Sequence, residues 1–519
     1  MRFSLLSEGG DGVGLAIRLR AEGHQVRIFI RDPYAEKRGS GLVETGGDPS
    51  FGEVIVADCT GMGLICDRYR EHGALVFGGS AIADKLESDR KFASEVMKSC
   101  GISQPESKSF DDWDAAEEFI RESEKRLVFK PEGSLSGNVP SYCAKDNQEL
   151  LESLEHFKEL CGANKPEFTL QQFIEGTCIS TECFFDGQKF IRPFNHTIER
   201  KHLMNGDIGP SGGCTGNLIW LCDDSDLIVR KTVLLLEDFL REHQYIGTID
   251  VNAVVNQEGI YALEFTPRFG WDSLPTYLYS LYSGDFGRLL YEMARGEGPD
   301  FQEVADRFGA GIRITIPPWP TEKYQAESGI PVLGIEPAEL STDFYPYDVE
   351  MRDGKLFSSG GYGIIGVMNS FGGSCGEAFS KAYQKVKELK IVDMQYRNDL
   401  GEVCRKDYRD LEMLTGRRED LGWIGVDLDS TLALGSRKDI GEPIPRMVSR
   451  VKRWVRDGKE VRILTARATD VDERVKTYEW LKENIGIPLE VTHEKDYQMI
   501  RLYDDRAVEV ERNTGELAT

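Results

Sequence analysis

The sequence lacks the features that mark secreted, membrane-spanning and nucleic-acid-coating proteins. Its eleven cysteines include no Cys-x-x-Cys pair and its seven histidines are scattered, so neither a disulfide framework nor a zinc site is expected. No run approaches the roughly 18 apolar residues that a membrane-spanning helix needs. Basic residues are also few, since 63 Lys and Arg stand against 88 Asp and Glu, for a net charge of −25. This balance argues against a surface built for nucleic acid or anionic lipid.

What is present indicates a globular chain of several domains. The 519 residues are more than one hydrophobic core usually serves, and 40% of them are hydrophobic. We find no internal repeat and no low-complexity tract. With reduced thiols and no targeting segment, the chain is expected to be a cytoplasmic enzyme.

The first 105 residues alternate short apolar strands with amphipathic helices, which predicts a doubly wound parallel sheet. A glycine turn, Gly9–Gly14, follows the first strand. Its spacing differs from the Gly-x-Gly-x-x-Gly of dinucleotide sites, although Asp32 falls where a ribose carboxylate would lie. A nicotinamide cofactor is therefore the weakest hypothesis for this turn, and a strand-to-helix turn whose amides hold a phosphate is the simpler one.

Residues 106–310 mix strands with longer helices and contain the parts of an ATP site. Lys130 ends a strand and precedes a Gly/Ser loop, and Glu264 lies on a hairpin opposite Asp250 and Asn252. Activation of a carboxylate by ATP needs a cation and an amide-rich loop at the phosphates, with acidic groups that hold Mg²⁺. Residues 311–410 predict a smaller α+β domain, and 411–422 read as a linker.

In order and spacing these segments resemble the ATP-grasp superfamily, and within it glycinamide ribonucleotide synthetase. The resemblance covers roughly residues 1–400. The segments that carry it are Gly9–Gly14, Asp89–Ala93, Val128–Pro131, Gln171–Gly176, Asn205–Gly213, Leu263–Gly270 and Tyr396–Asp399.

The resemblance implies a role for each matching residue. The positions implied to bind ATP are Arg90, Lys91, Lys130, Gly133, Gly137, Gln172, Phe173, Ile174 and Glu182. Mg²⁺ or Mn²⁺ would be held by Asp250, Asn252 and Glu264, and Arg268 would neutralise the acyl-phosphate or its precursor. A substrate loop would present its amides to the carboxylate or the transferring phosphate through Asp207, Gly209, Pro210, Ser211, Gly212 and Gly213.

Four positions depart from the family. The glycine turn has Gly-Gly-Asp-Gly where the family has Arg-Glu-His, and Cys178 stands at a usual ribose-binding Glu. Thr266 replaces an Asn metal ligand, and Trp271-Asp272 replaces Asp-Pro. These departures sustain a second hypothesis, in which this half is a nucleotide-binding sensor or scaffold without ligase chemistry.

Residues 423–519 predict a second small parallel α/β domain with its own acidic centre. Asp427 and Asp429 follow a buried strand, Thr465 ends the next strand, and Lys495 precedes Asp504-Asp505. Two carboxylates at a strand end can divide the roles of nucleophile and proton donor while Mg²⁺ offsets their repulsion.

This set resembles the haloacid dehalogenase superfamily of phosphatases. The resemblance implies Asp427 as nucleophile, Asp429 as acid and base, and Thr465 with Lys495 as phosphoryl clamps. Metal would be held by Asp427, Asp429, Asp504 and Asp505. The intervals between these residues leave no room for a sizeable cap, so a large or protruding phosphate is the expected substrate.

The leading hypothesis is a bifunctional enzyme: an ATP-dependent carboxylate–amine ligase, joining an amino acid to a nucleotide-type or sugar-phosphate amine, fused to a Mg²⁺-dependent phosphatase. By analogy such a fusion suits an accessory or phage-type nucleotide pathway. Small molecules are the expected partners, with no membrane and no nucleic acid for the ligase half. Nucleic acid stays open as a substrate of the capless phosphatase.

Overall fold

The computed structural model describes residues 1–132, 139, 141–162, 166–298, 307–321, 324–415, 423–435, 439–456, 459–496 and 499–507. The chain divides into two compact units, Met1–Tyr408 and Arg409–Thr519. No helix in the described ranges is long and apolar enough to cross a membrane.

The first unit begins with a five-stranded parallel sheet, as the strand–helix alternation predicted. β1 lies between β2 and β4 in the order β3-β2-β1-β4-β5, which explains why Phe3–Ser7 are all buried. The elements are β1 (Arg2–Ser7), α1 (Val13–Ala21), β2 (Gln25–Ile30), β3 (Glu44–Thr45), β4 (Val54–Ala57), α2 (Gly63–Glu71), β5 (Leu75–Phe77), α3 (Ala81–Ser88) and α4 (Arg90–Ser99).

A three-stranded antiparallel sheet with two helices follows. Its elements are β6 (Ser107–Phe110), α5 (Trp113–Glu122), β7 (Leu127–Pro131), α6 (Asn147–Cys161) and β8 (Phe168–Gln172), with strand order β6-β8-β7. The rings of Phe129 and Phe168 lie 4.8 Å apart, and Phe157 of α6 lies 4.7 Å from Phe129. This aromatic core fixes β7, the strand that carries Lys130.

The rest of the first unit is built on one eight-stranded antiparallel sheet. The strand order is β13-β12-β9-β10-β11-β14-β19-β16, and β15, β18 and β17 form a separate small sheet. Its elements are β9 (Thr177–Asp186), β10 (Phe190–Met204), β11 (Ile208–Cys222), α7 (Leu227–Lys231), α8 (Glu237–Glu242), β12 (Ile246–Val255), β13 (Ile260–Thr266), α9 (Ser273–Thr276), α10 (Phe286–Ala294), β14 (Phe308–Thr315), β15 (Ser328–Pro331), β16 (Phe344–Pro346), β17 (Val349–Arg352), β18 (Lys355–Ser359), β19 (Ile364–Gly372), α11 (Cys375–Val386) and α12 (Leu400–Thr415).

The element boundaries differ from the domain limits expected from the sequence. The limit at 310/311 falls inside β14, because strands from both sides of it share the large sheet. Residues from Ala83 onward pack in one core with Phe185 and Phe265 of that sheet, ahead of the expected limit at 105. α12 continues to Thr415, past the start expected for the linker at 411.

The second unit contains a four-stranded parallel sheet in the order β22-β21-β20-β23. Val426, Ile463 and Leu481 are fully buried in its core. After the carboxyl half of α12, its elements are β20 (Trp423–Val426), α13 (Pro445–Arg456), β21 (Val461–Leu464), α14 (Val471–Asn484), β22 (Glu490–Thr492) and β23 (Met499–Tyr503). The sequence predicted strands at 424–426, 460–464 and 501–503 and helices at 444–457 and 470–485, each within a few residues of the observed element, but it did not predict β22.

None of the eleven cysteines, all of which lie in the described ranges, forms a disulfide, and seven of them are buried. We expect native thiol titration to be fastest at exposed Cys143 and slower at Cys178, because burial raises the pKa of the Cys178 thiol. The seven buried thiols should react only after unfolding. A count above four before unfolding, or a change in electrophoretic mobility on reduction, would contradict this arrangement.

Candidate functional site

A cleft of about 320 Å³ lies where the three-stranded sheet of β6, β8 and β7 faces α3, α4 and β13. β7 directs Leu127, Phe129 and Pro131 inward, so the alternate residue Lys130 faces the cleft. Charged side chains of both signs line it: Glu87, Arg90, Lys91, Glu95, Lys130, Glu264 and Arg268. The structure thus brings together most of the charged residues that the sequence assigned to ATP.

Lys130 is a half-buried cation that lines this cleft. Burial lowers the pKa of its ammonium to about 8, the Glu264 carboxylate opposes that shift, and Arg90 and Lys201 add to it. Burial also opposes the charge on Lys201, but Glu199 and Glu264 raise the pKa of that ammonium. Several cationic side chains therefore lie close together and partly out of water. Such a group is suited to bind a polyphosphate, whose negative charge neutralises theirs.

Lys201 was not among the residues selected from the sequence. It lies on β10, a strand that carries two adjacent basic residues and reads as a solvated face. It lies at a register shift between Arg200 and His202 in the pairing of β10 with β11. No local signal distinguishes it from its neighbour Arg200.

Arg268 is held by an ion pair in this structure. Its Nη2 and Nε lie 3.0 and 3.1 Å from Oε1 of Glu87, and its guanidinium lies 5.0 Å from the ring centroid of Trp271. A phosphate bound next to Arg268 would compete with Glu87 for the same donors.

The hinge after β8 contributes fewer free groups than the sequence suggested. The amides of Gln172 and Phe173 donate to the carbonyls of Glu106 and Arg126, each at 2.8 Å. The Phe173 ring is covered by Arg126 at 3.7 Å. Adenine recognition by these two amides is thus excluded in this conformation, and Ile174 is the remaining hinge residue of the predicted set. Gly133 and Gly137 lie outside the described residues.

An acidic face lies across the neighbouring strands. Asp250 of β12 is directly opposite Glu182 of β9, and Asn252 is opposite Glu264 of β13. Burial raises the pKa of Asp250 well above its usual value and that of Glu182 to about 7. From the sequence we expected Glu182 to bind ATP near the hinge, but the pairing of β9 with β12 places it beside Asp250.

The donor set of this face fits a divalent cation that also binds phosphate oxygens. The Oδ1 of Asp250 is buried and has no hydrogen-bond donor among the described residues. Within those residues, Asp250 and Glu264 do not gather with a third carboxylate, histidine or cysteine within 4.8 Å. Mg²⁺ is commonly held by one or two carboxylates and the phosphates of its nucleotide, and this face matches that pattern.

The predicted substrate loop instead forms the turn and the start of the second strand of a long hairpin. β10 ends at Met204 and β11 begins at Ile208, so Gly209, Pro210, Ser211, Gly212 and Gly213 lie in a strand. The glycines and proline favoured a loop in the sequence, but pairing with β10 overrides that preference.

This hairpin is fastened to the end of the first unit. Asp207 accepts hydrogen bonds from Arg200 at 2.8 Å and from Arg397. The Gly206 amide donates to Asp399 at 2.8 Å, and the Gly212 carbonyl accepts from Arg313 at 3.3 Å. Asp207 therefore has a structural partner on each side and is not free to meet a substrate.

The glycine turn after β1 is not an open phosphate cradle. Gly10 donates its amide to Ser7 Oγ at 2.8 Å, and Gly12 donates to Asp58 Oδ2 at 2.6 Å. Asp32 accepts from the Tyr34 amide at 2.8 Å. Two of the amides proposed for a phosphate, those of Gly10 and Gly12, are thus engaged by the protein itself.

The second unit contains a separate acidic cluster at one edge of its sheet. Asp427 follows β20, and Asp504 and Asp505 follow the neighbouring parallel strand β23. Oxygens of these three carboxylates all lie within 4.8 Å of one another. Burial and the charge of Asp504 raise the pKa of Asp427 to about 6. This cluster fits a hard divalent cation.

The remaining predicted residues of this unit differ in their surroundings. Thr465 directly follows β21, is buried, and accepts a hydrogen bond from the Arg467 amide at 3.3 Å. Asp429 is paired with Arg467 through two contacts of 2.8 and 2.9 Å. Lys495 is exposed after β22 and makes no hydrogen bond to Asp427 in the described part of the chain. No role was predicted for Arg467 from the sequence.

Comparison with known proteins shows a similarity that includes most of the larger site. Residues 88–273 match the family described as phosphoribosylglycinamide synthetase, ATP-grasp (A) domain. This stretch contains Lys130, Glu264 and Arg268, so most of the cleft lies in the part of the chain that is similar to an ATP-grasp domain.

Individual relatives agree with the family. The bifunctional purine biosynthetic protein of Pichia angusta is 26% identical over 385 residues, which are 72% of this chain and 47% of that protein. This chain therefore spans about half of that relative. Phosphoribosylamine–glycine ligase of Halalkalibacterium halodurans is 23% identical over 65% of this chain and 78% of its own length.

The fold is also that of a solved relative. The crystal structure of phosphoribosylamine–glycine ligase from Thermotoga maritima superposes with a TM-score of 0.59 at 20% identity, covering 77% of this chain and all of that one. These comparisons give no support to the phosphatase assignment of residues 423–519, which stays a prediction.

The lowered pKa of Lys130 generates a pH prediction. The ammonium attracts phosphate only when protonated, so the affinity for MgATP should fall as pH rises through about 8. Lys130→Arg should keep binding constant to higher pH, since a guanidinium does not deprotonate in this range. Equilibrium titration of the nucleotide between pH 6.5 and 9.5 measures this, and parallel profiles for the two proteins would contradict it.

Proposed function

We propose that the first unit is an ATP-dependent carboxylate–amine ligase. The γ-phosphoryl group of ATP passes to a substrate carboxylate, giving ADP and an acyl-phosphate. The nitrogen of an amine then attacks the acyl carbon, the C–O bond to phosphate breaks, and an amide and inorganic phosphate form. The Pichia angusta relative is named for purine biosynthesis, and the Halalkalibacterium halodurans relative is named for joining phosphoribosylamine to glycine. The substrate pair that these names suggest is an amino acid with a nucleotide-type or sugar-phosphate amine.

One observation carries the proposal: Lys130 and Glu264 line the same cleft together with Arg90, Lys91 and Arg268. A cation for phosphates opposed by a carboxylate for the metal is the arrangement that phosphoryl transfer requires. Lys130, Lys201 and Arg90 would bind the phosphates of ATP, and Glu264 with Asp250 and Asn252 would hold Mg²⁺. Bound Mg²⁺ would neutralise the charge that develops on the transferring group.

Arg268 is assigned to the acyl-phosphate or its precursor. Its partner Glu87 lines the same cleft, so the guanidinium is already near the phosphate path when nucleotide arrives. The sensor hypothesis is retained as the alternative, since Cys178 and Thr266 replace expected ligands. Tight binding of ATP without turnover under any amine and carboxylate would favour the sensor.

Lys130→Ala and Glu264→Ala test the ligase. Each should reduce ADP release, measured with a panel of amino acids and amines, by about 10²-fold or more, because a phosphate contact in a closed site is worth about 3 kcal/mol. Lys145→Ala is the matched control, since Lys145 is exposed on the same part of the chain. Unchanged ADP release in either cleft variant would rule out the assigned ATP site.

We further propose that the second unit is a Mg²⁺-dependent phosphatase of the haloacid dehalogenase type. The observation in its favour is the convergence of Asp427, Asp504 and Asp505 at the carboxyl edge of a parallel sheet. Asp427 would attack phosphorus to form an aspartyl-phosphate, Thr465 would bind the phosphoryl group, and Asp429 would transfer the proton. The bound metal would offset repulsion among the carboxylates.

Asp427→Asn should abolish release of p-nitrophenol from p-nitrophenyl phosphate, because an amide is not a nucleophile for phosphorus. Asp429→Asn should slow release by about 10²–10⁴-fold through loss of the proton donor. Mg²⁺ should raise the melting temperature of the wild type more than that of Asp427→Asn. Asp472→Asn, an exposed site on α14, is the control. Turnover in excess EDTA, or by Asp427→Asn, would refute the phosphatase.

A further inference from the structure

In the second unit, α13 has a basic face although the chain is acidic overall. No acidic residue occurs in its sequence, PRMVSRVKRWVR, while the whole chain has a net charge of −25. Arg446, Arg450 and Arg453 are exposed. Their spacing of four and three residues places them on one side of the helix, in a row about 10 Å long. These three side chains form a basic ridge, which is a local exception to the overall charge balance.

The described part of the chain provides no acidic partner for the basic ridge. None of its three guanidinium groups forms an ion pair or a hydrogen bond with another described residue. Other arginines of this unit are paired: Arg462 lies 2.7 Å from Glu460, and Arg467 lies 2.8 Å from Asp429. The ridge is therefore available to an external anion, which arginines bind through charge-assisted hydrogen bonds.

The basic ridge begins near the edge of the sheet where the acidic cluster lies. Just before α13, the Ile444 amide donates to the carbonyl of Leu432 at 2.9 Å, in the loop that follows β20. Arg450 lies 5.7 Å from the ring centroid of Tyr503, the residue before Asp504. Because α13 connects β20 to the parallel strand β21, it runs back along the sheet from that edge. A chain bound along the ridge would thus have one end close to the carboxylates.

The apolar side of α13 favours nucleic acid over a membrane as the source of the anion. Val448, Val451 and Trp454 are buried in the core of the unit. The helix therefore has no apolar face to insert among lipid chains, which interfacial helices need. A row of arginines instead matches a nucleic acid, whose phosphates repeat along a line and attract a basic surface.

We propose that the basic ridge binds the backbone of a nucleic acid whose terminal phosphate enters the acidic site. The inference rests on the proposed phosphatase and narrows its substrate to a phosphomonoester at the end of a polynucleotide. The bond between phosphorus and the terminal sugar oxygen breaks as Asp427 attacks, and that oxygen takes a proton from Asp429. Water then cleaves the aspartyl-phosphate and releases inorganic phosphate.

Fluorescence anisotropy tests the ridge in the full-length protein. The probe is a labelled oligodeoxythymidylate of about 12 nucleotides without a terminal phosphate, titrated between about 50 and 200 mM NaCl. The triple variant Arg446→Gln, Arg450→Gln, Arg453→Gln should bind about tenfold or more weakly at the lower salt. The slope of the logarithm of the binding constant against that of the salt concentration should become shallower by about 2, since each contact to a single strand contributes about 0.7.

Two controls separate charge from folding. The variant Arg446→Lys, Arg450→Lys, Arg453→Lys keeps the positive charges and should retain most of the affinity, whereas a purely structural role of the guanidinium groups would not be rescued. Lys482→Gln removes an exposed cation from α14 and should leave oligonucleotide binding unchanged. Thermal unfolding should show the glutamine variant to be folded.

Phosphate release from the same oligonucleotide with a 5′- or 3′-phosphate gives a second readout. The glutamine variant should lose activity through a higher KM rather than a lower kcat. Equal oligonucleotide binding by the folded glutamine variant would overturn the inference, as would ridge-dependent binding to phosphatidylserine vesicles with none to the oligonucleotide.

The proposed phosphatase is judged separately. Ridge-dependent oligonucleotide binding without phosphate release from any ester would reject the phosphatase and keep the ridge as a nucleic-acid surface. Turnover of p-nitrophenyl phosphate by the wild type, with no effect of the ridge on the oligonucleotide, would reject the surface and keep the phosphatase.

Discussion

The effect of the Glu264 carboxylate on the ammonium of Lys130, which lines the same cleft, is the interaction on which the account of the first unit depends. Burial makes the ammonium of Lys130 easier to discharge, and the carboxylate limits that effect. Neither group is neutralised by a close ion pair of its own among the described residues, so both remain available to ligands. The fold produces this arrangement. The sheet of β6, β8 and β7 fixes the position of Lys130, and the hairpin of β12 and β13 fixes the position of Glu264.

The same shortage of compensating charge recurs elsewhere in the chain. Asp250 and Glu182 face each other with raised pKa values, and Asp427 is raised by its acidic neighbours. Carboxyl groups with pKa values raised in this way are frequent at functional sites, because a bound ligand of opposite charge stabilises their ionised form. By contrast, Asp207 and Asp272 are matched by arginines, and these pairs fasten the hairpin and the strands around the cleft.

Strand alternation and turn residues made much of this predictable from sequence. β7 and the hairpin of β12 and β13 appear almost where expected, because period-two burial and a Gln-Glu-Gly turn are local signals. The segment 205–213 was expected to be a loop, since its glycines and Pro210 oppose a strand locally while distant pairing enforces one. The domain limit expected at 310/311 was wrong for the same reason. The glycine-rich segment forms β14 because it pairs with the distant strands β11 and β19.

The site residues also divide into those that a local sequence motif predicted and those whose position depends on distant parts of the chain. Lys130, Glu264 and Asp427 occupy strand ends or hairpins with recognisable neighbours, so their motifs were visible. Lys201 and Arg467 depend on where a strand or a short turn places a long side chain, which spacing does not encode. The satisfied amides of the glycine turn also depend on a partner 46 residues away, Asp58.

The most direct test of the central claim is positional isotope exchange in ATP labelled with ¹⁸O at the β,γ-bridging position. The protein is supplied with Mg²⁺ and single amino acids but no amine, and the label is followed by ³¹P NMR. Reversible transfer of the γ-phosphoryl group to a carboxylate lets the β-phosphate of ADP rotate, so the label should move to a non-bridging oxygen with the correct amino acid. Binding of ATP with no exchange under any carboxylate would contradict the ligase and leave a nucleotide-binding protein in its place.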